Sequence, residues 1–167
     1  MPADWKSITV ADIELLPVAY QQRITESYLD DFKHMNVMWY THLFSCALDD
    51  IFQRVGLTQE YFEANHAGTF ALEGHVRYIN EVRVGQQVSI RTRAVGRSDR
   101  RFHFLHFMTN DDTGKLSATL ETIGTHVDLR IRRSAPFPAQ VASEFDRLLA
   151  EHAQLPWAAP LCGAMKV

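Results

Sequence analysis

Hydrophobic side chains recur at helical spacing in one stretch of the chain, residues 28–56. They form one continuous helical face made of Tyr40, Leu43, Phe44, Ala47, Leu48 and Ile51. Asn36 stands where an N-cap residue belongs, and Gly56 stands where a residue in the left-handed conformation would end the helix. The pattern therefore predicts one long amphipathic helix that follows an acidic, histidine-bearing loop.

The pattern changes from helical to alternating at residue 69. Apolar and polar residues alternate there, and the apolar side of the predicted strand consists of Phe70, Leu72, Val76 and Tyr78. Further strands are predicted for the segments QQVSIRTRAV, RRFHFLHFMTN and KLSATLETIGTHVDLRI, which turn signals at residues 96–100 and 110–114 separate. Together with a short strand at residues 20–27, they predict an antiparallel sheet of about five strands.

Prolines mark the ends of these elements. Pro17 interrupts any helix that the segment ADIELL begins, and Pro136 and Pro138 stop the last strand. Beyond these prolines, VASEFDRLLAEHA predicts an amphipathic C-terminal helix. One long helix followed by antiparallel strands gives an α+β domain in which a curved sheet wraps the helix.

Composition narrows the class of protein. With 167 residues, 46% of them hydrophobic and 22% charged, the chain fits a single compact domain over residues 1–167. The net charge of -3 argues against an extended nucleic-acid interface. The N-terminal segment carries acidic side chains where a signal peptide would be basic, so we expect a cytoplasmic protein without membrane insertion. Cys46 and Cys162 are widely separated and predict neither a disulfide framework nor a CxxC metal site.

The predicted architecture leaves apolar surface uncovered. One helix cannot cover a whole sheet, and the two edge strands carry unpaired backbone groups. Such surfaces favour pairing of identical chains with their sheets side by side. We therefore expect at least a homodimer.

The loop before the long helix reads DDFKHMNVMWY and resembles the hot-dog thioesterases of the 4-hydroxybenzoyl-CoA thioesterase type. That family often has D-x-x-x-H-x-N-x-x-x-Y here, which falls on Asp30, His34, Asn36 and Tyr40. The segments VRYINEVRVGQQVSIRTRAVG and SATLETIGTHVDL resemble the family's strands and turns, so the resemblance covers roughly residues 20–133 and leaves residues 134–167 as a C-terminal helix and tail. The segments LDDIFQRVGL, TFALEGHVRYINEVRVG and THVDL resemble a subgroup that includes betainyl-CoA thioesterase and the thioesterase domain of some carnitine dehydrogenase fusions.

The resemblance implies a hot-dog fold and hydrolysis of an acyl-CoA thioester by a homodimer or homotetramer, without a metal or redox cofactor. It places the catalytic carboxylate, as nucleophile or general base, on Asp30. It places the amide that binds the thioester oxygen on Val37. His34 and Asn36 would support this geometry.

More distant relatives, the plant acyl-carrier-protein thioesterases, imply a further role for Glu81. They carry an Asp, an Asn and a His at positions 30, 32 and 34 and a Glu at the position of Glu81. Phe32 departs from that pattern, and an amide cannot act from this position. Lys33 replaces the glycine that usually precedes the histidine, so the loop is expected to bend differently.

Thioester hydrolysis needs a group that delivers a nucleophile and a group that stabilises the oxyanion. A carboxylate beside a helix N-terminus offers both, because the first backbone N–H groups of a helix have no partner within it. Asp30 can attack directly or deprotonate a water, and the sequence leaves both routes open. In the alternative interpretation, Asp30 and Asp31 only solvate the helix entry, His34 is structural and Asn36 is only an N-cap.

Glu73 and His75 form a second titratable pair, because they share one face of a predicted strand. Their pairing allows acid–base catalysis. The opposite face is expected to cover the helix, which turns both side chains toward solvent or a partner subunit. Glu81 ends this strand near Arg83, where it either acts as a catalytic carboxylate or forms a surface ion pair.

Arginines cluster at the turn GRSDRR. The resemblance implies that Arg97, Arg100 and Arg101 there meet the phosphates of coenzyme A. Guanidinium groups suit this ligand because they bind phosphate oxygens in a bidentate way. A solvated turn is the alternative, and a second group with less support consists of Arg130, Arg132 and Arg133.

His103 and His106 do not predict a metal site. Residues three apart on a strand point to opposite faces, and no helical HExxH or paired cysteines accompany them.

Trp39 and Tyr40 lie at the start of the long helix, where aromatic rings can hold a trimethylammonium group by cation-π attraction. Such residues belong more often to the core.

Two other functions fit the same fold. A non-catalytic hot-dog module would bind acyl-CoA without hydrolysing it. A hot-dog enoyl-CoA hydratase or dehydratase would need a histidine and a carboxylate that move protons at the acyl chain. We do not find the histidine-rich loop ahead of a proline and glycine motif that is usual for that class.

Overall fold

The computed structural model describes residues 5–167, and that range contains four α-helices and six β-strands. The helices are α1 (Val10–Ile13), α2 (Val37–Arg54), α3 (Gln59–Asn65) and α4 (Ala139–Ala153). The strands are β1 (Val18–Arg23), β2 (Ala67–Tyr78), β3 (Gln87–Arg97), β4 (Arg101–Asn110), β5 (Lys115–Asp128) and β6 (Arg133–Ser134). Short 3-10 helices occupy Trp5–Ser7 and Glu26–Tyr28.

The strands form one antiparallel sheet in the order β1-β3-β4-β5-β2, and the short β6 pairs with the end of β5. Tight hairpins join the three central strands, which are neighbours in sequence. The two strands that come first in the chain therefore form the two edges. The predicted α+β architecture is confirmed.

The helix α2 lies against one side of this sheet, which we call the inner face; the opposite side is the outer face. Its N-terminal half packs in a cluster with the strand residues Val88, Ile90, Met108 and Ala118. Its C-terminal half packs against the sheet and α4 in a second cluster, which includes Ile51, Phe52, Phe104, Phe145 and Leu148. The helix thus buries the apolar face that its sequence predicts, and the predicted C-terminal helix completes the core.

Both ends of α2 lie where the sequence predicts them. Asn36 is the N-cap, and its Oδ1 accepts a hydrogen bond from the Met38 N–H at 3.1 Å. The helix ends at Arg54, and Gly56 follows with a φ of +80°, which is the left-handed region that favours glycine. The loop before the helix is thereby joined directly to its first turn.

The first strand differs from its prediction. β1 covers Val18–Arg23 rather than residues 20–27. It ends there because its partner β3 begins at Gln87, which is the residue opposite Arg23. The chain then leaves the sheet through Ile24, whose N–H donates to the Gln86 carbonyl at 2.8 Å.

The predicted apolar side of β2 is wrong in part, because a β-bulge lies between Ala71 and Glu73. The extra residue breaks the alternation, so Phe70 lies opposite Thr125 on the outer face. Val76 and Tyr78 lie on the inner face as predicted, and the Tyr78 ring meets the Tyr40 ring of α2 at 5.2 Å. Even so, Phe70, Leu72 and Tyr78 are 37%, 47% and 53% exposed, since β2 is an edge strand.

The chain's own ends cover much of the outer face. A third core cluster joins Leu105 and Phe107 of β4 to residues of the N-terminal segment and of the C-terminal tail. The Phe107 ring packs edge-on against Trp157 at 5.6 Å, and the Arg93 guanidinium lies over the same indole at 4.2 Å. The outer face at β4 is therefore covered, and the uncovered apolar surface that the sequence predicts lies mainly along β2.

Candidate active site

The loop between β1 and α2 is closed by hydrogen bonds around Asp30. Asp30 donates its N–H to the His34 carbonyl at 2.9 Å, and its Oδ1 accepts from the N–H groups of Phe32 and His34 at 2.9 and 3.3 Å. Lys33 has a φ of +67°, so it adopts the left-handed conformation that a glycine would supply at this position. Whether the loop bends differently from that of the relatives stays a prediction; in this chain a lysine adopts a backbone conformation that favours glycine.

The N-terminus of α2 opens directly beside this loop. The Asn36 side chain caps the Met38 N–H, so the Val37 N–H remains among the first amides that have no helical partner. Backbone bonds hold the segment, because Met35 donates its N–H to Val82 and Asn36 donates its N–H to Tyr28, both at 2.8 Å. The position thus offers a fixed amide at the positive end of a helix dipole.

Two predicted residues from distant parts of the chain meet at this loop. His34 Nε2 lies 2.8 Å from Glu81 Oε2. The other carboxylate oxygen of Glu81 accepts from Arg83 Nε at 2.7 Å. Glu81 therefore forms both the predicted ion pair with Arg83 and a contact with His34 that no local pattern indicates.

Tyr40 lies beneath these groups. Burial, with smaller contributions from Tyr78 and from the carboxylates of Glu81 and Asp30, raises the pKa of the Tyr40 phenol to about 12. The phenol is therefore neutral at physiological pH, and Tyr40, the last residue of the D-x-x-x-H-x-N-x-x-x-Y pattern, lies near the carboxylates of Asp30 and Glu81. From the sequence, Tyr40 is expected to end the loop pattern and to belong to the core or to an acyl pocket.

Glu73 and His75 lie elsewhere. They are opposite Ile123 and Glu121 on the outer face, so they point away from α2 as predicted. Within one chain the sheet separates them from the Asp30 loop. Their predicted role in acid–base catalysis stays a prediction.

The predicted phosphate-binding arginines lie at the other end of α2. The hairpin that carries them joins β3 to β4 beside Phe102, which packs against the C-terminal half of the helix. Arg97 forms a bidentate pair with Asp146 of α4 at 2.6 and 2.7 Å, which raises the pKa of the guanidinium. Arg100 pairs with Asp99 at 3.3 Å. In a single chain these arginines and the Asp30 loop are therefore not brought together.

The second arginine group also has partners at the far end of the sheet. Arg130 forms two hydrogen bonds with Asp128 and lowers the pKa of that carboxyl to about 2. Arg132 lies over the Phe70 ring at 5.6 Å. Both residues lie next to the edge strand β2.

His103 and His106 lie on opposite faces of β4, as predicted. His103 contacts the buried Glu121 on the outer face at 2.9 Å. His106 contacts Thr92 on the inner face at 2.8 Å, and burial lowers its pKa to about 3. Within residues 5–167, no group of three or more His, Cys, Asp or Glu side chains is placed to hold a metal ion.

A groove of about 610 Å³ lies beside Asp30, and its lining is acidic. It is lined by Glu26, Leu29, Asp30, Asp31, Lys33 and Val84. Close to the same loop, the rings of Tyr28 and Trp39 pack against each other with their centroids 4.5 Å apart. Neither Glu26 nor Val84 is among the predicted site residues. Glu26 directly precedes the loop in the chain, whereas Val84 comes to it only because the β2–β3 connection folds there.

Residues 24–145 match the family model of the thioesterase-like superfamily. The chain belongs to this superfamily. A betainyl-CoA thioesterase of Pseudomonas aeruginosa is 30% identical over 137 residues, which are 82% of this chain and 86% of that protein. An L-carnitine dehydrogenase/betainyl-CoA thioesterase of Rhizobium meliloti is 27% identical, and the match covers 80% of this chain but only 27% of that longer protein.

Two solved structures have the same fold. A Staphylococcus aureus hypothetical protein in complex with CoA superposes with a TM-score of 0.80, at 22% identity, over 91% of this chain and 96% of its own. A 1,4-dihydroxy-2-naphthoyl-CoA thioesterase from Synechocystis gives a TM-score of 0.68 at 13% identity, over 77% and 95%. The predicted hot-dog fold and thioesterase class are confirmed.

None of the helices in residues 5–167 is both long and apolar enough to cross a bilayer.

Proposed function

We propose that this thioesterase-family chain hydrolyses an acyl-CoA thioester at the N-terminus of α2. The observation that carries the proposal is the loop that closes on the Asp30 carboxylate directly ahead of α2, whose first residue Val37 has an N–H without a helical partner. A carboxylate and an unpaired helix amide are the two groups that thioester hydrolysis needs. The names of the relatives agree with this chemistry.

Asp30 is the group that supplies or activates the nucleophile. The loop hydrogen bonds engage its Oδ1, and we assign the reaction to Oδ2. In one route Oδ2 attacks the thioester carbon, CoA leaves as the thiolate, and water then hydrolyses the resulting anhydride. In the other, Oδ2 takes a proton from a water that attacks the same carbon. In both routes the Val37 N–H holds the carbonyl oxygen as it becomes negative.

His34, Asn36 and Glu81 support this geometry. Glu81 holds the His34 ring at 2.8 Å and is itself held by Arg83. Asn36 fixes the first turn of α2, which directs the Val37 amide. A carboxylate at 2.8 Å from Nε2 keeps a proton on that nitrogen, so His34 is held in one orientation at the edge of the site.

We further propose that the acyl group is small and cationic. Three carboxylates and one lysine line the groove beside Asp30, which favours a positive ligand. The Tyr28 and Trp39 rings near this loop suit a quaternary ammonium group. The betainyl-CoA thioesterases among the relatives support the same choice.

A pair of isosteric substrates tests both proposals. We expect thiol release from betainyl-CoA with a kcat/KM at least about tenfold above that for 3,3-dimethylbutanoyl-CoA, which replaces the charged nitrogen with carbon. A thiol-release assay over both thioesters and a panel of longer acyl chains measures this. Equal rates for the isosteres, or a strict preference for long fatty chains, would contradict the cationic acyl group.

The rival functions give different results in the same assay. A non-catalytic acyl-CoA-binding module shows saturable binding without thiol release. A hydratase adds water to enoyl-CoA, which lowers the enoyl absorbance, and a dehydratase removes water from a 3-hydroxyacyl-CoA, which raises it. Either of these results, in the absence of thiol release, would contradict the proposed hydrolysis and support the rival function.

We also propose that the chain forms a homodimer through β2. This edge strand is 12 residues long and exposes Phe70, Leu72 and Tyr78, which makes it a template for a second strand. Antiparallel pairing of two copies places the Ala67 end of one strand beside the Tyr78 end of the other. The arginines near the partner's Asp128 would then lie toward this chain's Asp30 loop.

Leu72→Lys is expected to convert the dimer to a monomer. Leu72 lies near the centre of β2, so a two-fold axis brings the two new charges together. Sedimentation velocity at micromolar concentration measures the change. Leu15→Lys is the matched control, because Leu15 is 56% exposed and directly precedes β1, the opposite edge strand of the sheet. A dimer that persists in Leu72→Lys would exclude this interface.

A further inference from the structure

A second groove meets the candidate active site from the other side of Glu81. It consists of two adjoining pockets of about 440 and 320 Å³, which share Asn80 and Lys115. The groove runs between the β2–β3 connection, the β4–β5 hairpin and the N-terminal segment. Its first part is polar and its second part adds the apolar residues Trp5, Ile8, Val10, Ile79 and Leu116.

This second groove is basic. Arg83 and Lys115 line its first part and Lys6 its second, and among the lining residues within 5–167 Glu81 is the one that is acidic. The Glu81 carboxylate is already engaged by Arg83 and His34. The neighbouring carboxylates Asp111 and Asp112 face β3, where they accept from the Ser89 hydroxyl and the Gln87 N–H. The groove therefore presents an excess of positive charge to a ligand.

The order of groups along the groove matches the order of groups in coenzyme A. At one end Glu81 contacts His34 of the Asp30 loop, where the thioester would lie. Lys115 lies where the two parts of the groove join, and Trp5 lines only the second part. Coenzyme A carries an uncharged arm next to its sulfur, then phosphates, then an adenine that can stack on an aromatic ring.

We propose that this groove binds the nucleotide half of the acyl-CoA, with phosphate oxygens at Lys115 and the adenine against Trp5. The inference rests on the proposed acyl-CoA hydrolysis. This groove takes the phosphate-binding role that the sequence assigns to the β3–β4 hairpin. In the same chain that hairpin lies at the other end of α2, and its Arg97 is held by Asp146. The two grooves on either side of Glu81 then have opposite charge, as a thioester with a cationic acyl group and an anionic nucleotide requires.

Charge reversal at Lys115 tests the site. The preferred acyl-CoA is compared with its N-acetylcysteamine thioester, which has the same acyl group and no nucleotide. We expect Lys115→Glu to raise KM for the acyl-CoA about tenfold or more and to change KM for the short thioester less than about twofold. Lys166→Glu is the control, because Lys166 is an exposed tail lysine with no assigned role.

The other outcomes are equally informative. An effect of Arg101→Glu in place of Lys115→Glu would move the nucleotide to the β3–β4 hairpin and overturn the proposal. Equal effects of Lys115→Glu on both thioesters, or none on either, would also overturn it. If the wild type hydrolyses neither thioester, the proposed function fails. Calorimetric titration with CoA and with pantetheine then still tests the groove, since only CoA binding is expected to weaken in Lys115→Glu.

Discussion

Asp30→Asn is expected to lower the kcat of acyl-CoA hydrolysis by about 100-fold to 10,000-fold without loss of fold. Asparagine keeps a side-chain oxygen that can accept from the Phe32 and His34 N–H groups, so the loop can close as it does with aspartate. It removes the charge that a nucleophile or general base needs. The variant therefore separates the chemical role of Asp30 from its structural role.

Asp30→Ala provides the comparison. It removes both the charge and the hydrogen bonds of Oδ1, so we expect the same loss of kcat with a lower Tm. Thiol-release kinetics and thermal unfolding of the three proteins measure the two effects separately. If Asp30→Asn keeps wild-type turnover with every accepted acyl-CoA while Asp30→Ala loses stability, Asp30 is a loop residue and another group performs the hydrolysis.

Asp31→Asn controls for the loss of charge in this loop. Asp31 lines the same acidic groove but takes no part in the hydrogen bonds that close the loop through Asp30. It should keep a kcat close to that of the wild type. A similar loss of kcat in both variants would show that the groove acts through its summed charge.

The features that the sequence predicts best depend on neighbours in the chain. The apolar face of α2, its cap at Asn36 and its end before Gly56 all follow from spacing within one helix. The bulge in β2 has no comparable signal. One extra residue after Ala71 moves Phe70 to the outer face, and a strict alternation cannot show this.

The sequence predicts individual residues of the candidate site but not which of them come into contact. The loop pattern identifies Asp30 and His34, but Glu81 reaches His34 only because the β2–β3 connection folds against this loop. Lys33 illustrates the same limit, since it adopts a positive φ that its residue type disfavours. The arginines of the β3–β4 hairpin match the family pattern in sequence. Their separation from the Asp30 loop depends on how the sheet folds, so the sequence does not predict it.

The N-terminal segment and the C-terminal tail pack on the outer face of the sheet, and sequence periodicity does not predict this packing. A buried carboxylate, Glu121, holds the tail in place. Glu121 is 1% exposed at the centre of that face. Its Oε1 lies 2.9 Å from His103 Nε2, and its Oε2 accepts from the Cys162 N–H of the C-terminal tail at 2.5 Å. His75 lies opposite Glu121 on β2. The carboxylate thus joins two strands and the tail.

Glu121→Ala is expected to lower the free energy of unfolding by about 3–5 kcal/mol, because it leaves the buried His103 and the Cys162 N–H without their partner. We also expect the tail to detach. In a Cys46→Ser background, Cys162 is then the one remaining thiol, and its rate of alkylation reports the detachment. Urea unfolding and alkylation kinetics measure the two effects.

The contrast with a surface ion pair decides whether burial is the cause. Glu144 pairs with Arg147 at 2.8 Å on the exposed side of α4, so Glu144→Ala should leave both stability and Cys162 reactivity unchanged. Glu121→Gln keeps an oxygen for the Cys162 N–H and should hold the tail better than Glu121→Ala. Because Glu121 faces away from α2, the thioesterase activity of the folded fraction should persist in both Glu121 variants. If Cys162 stays protected in Glu121→Ala, the tail is held by the packing of Trp157 and its neighbours instead.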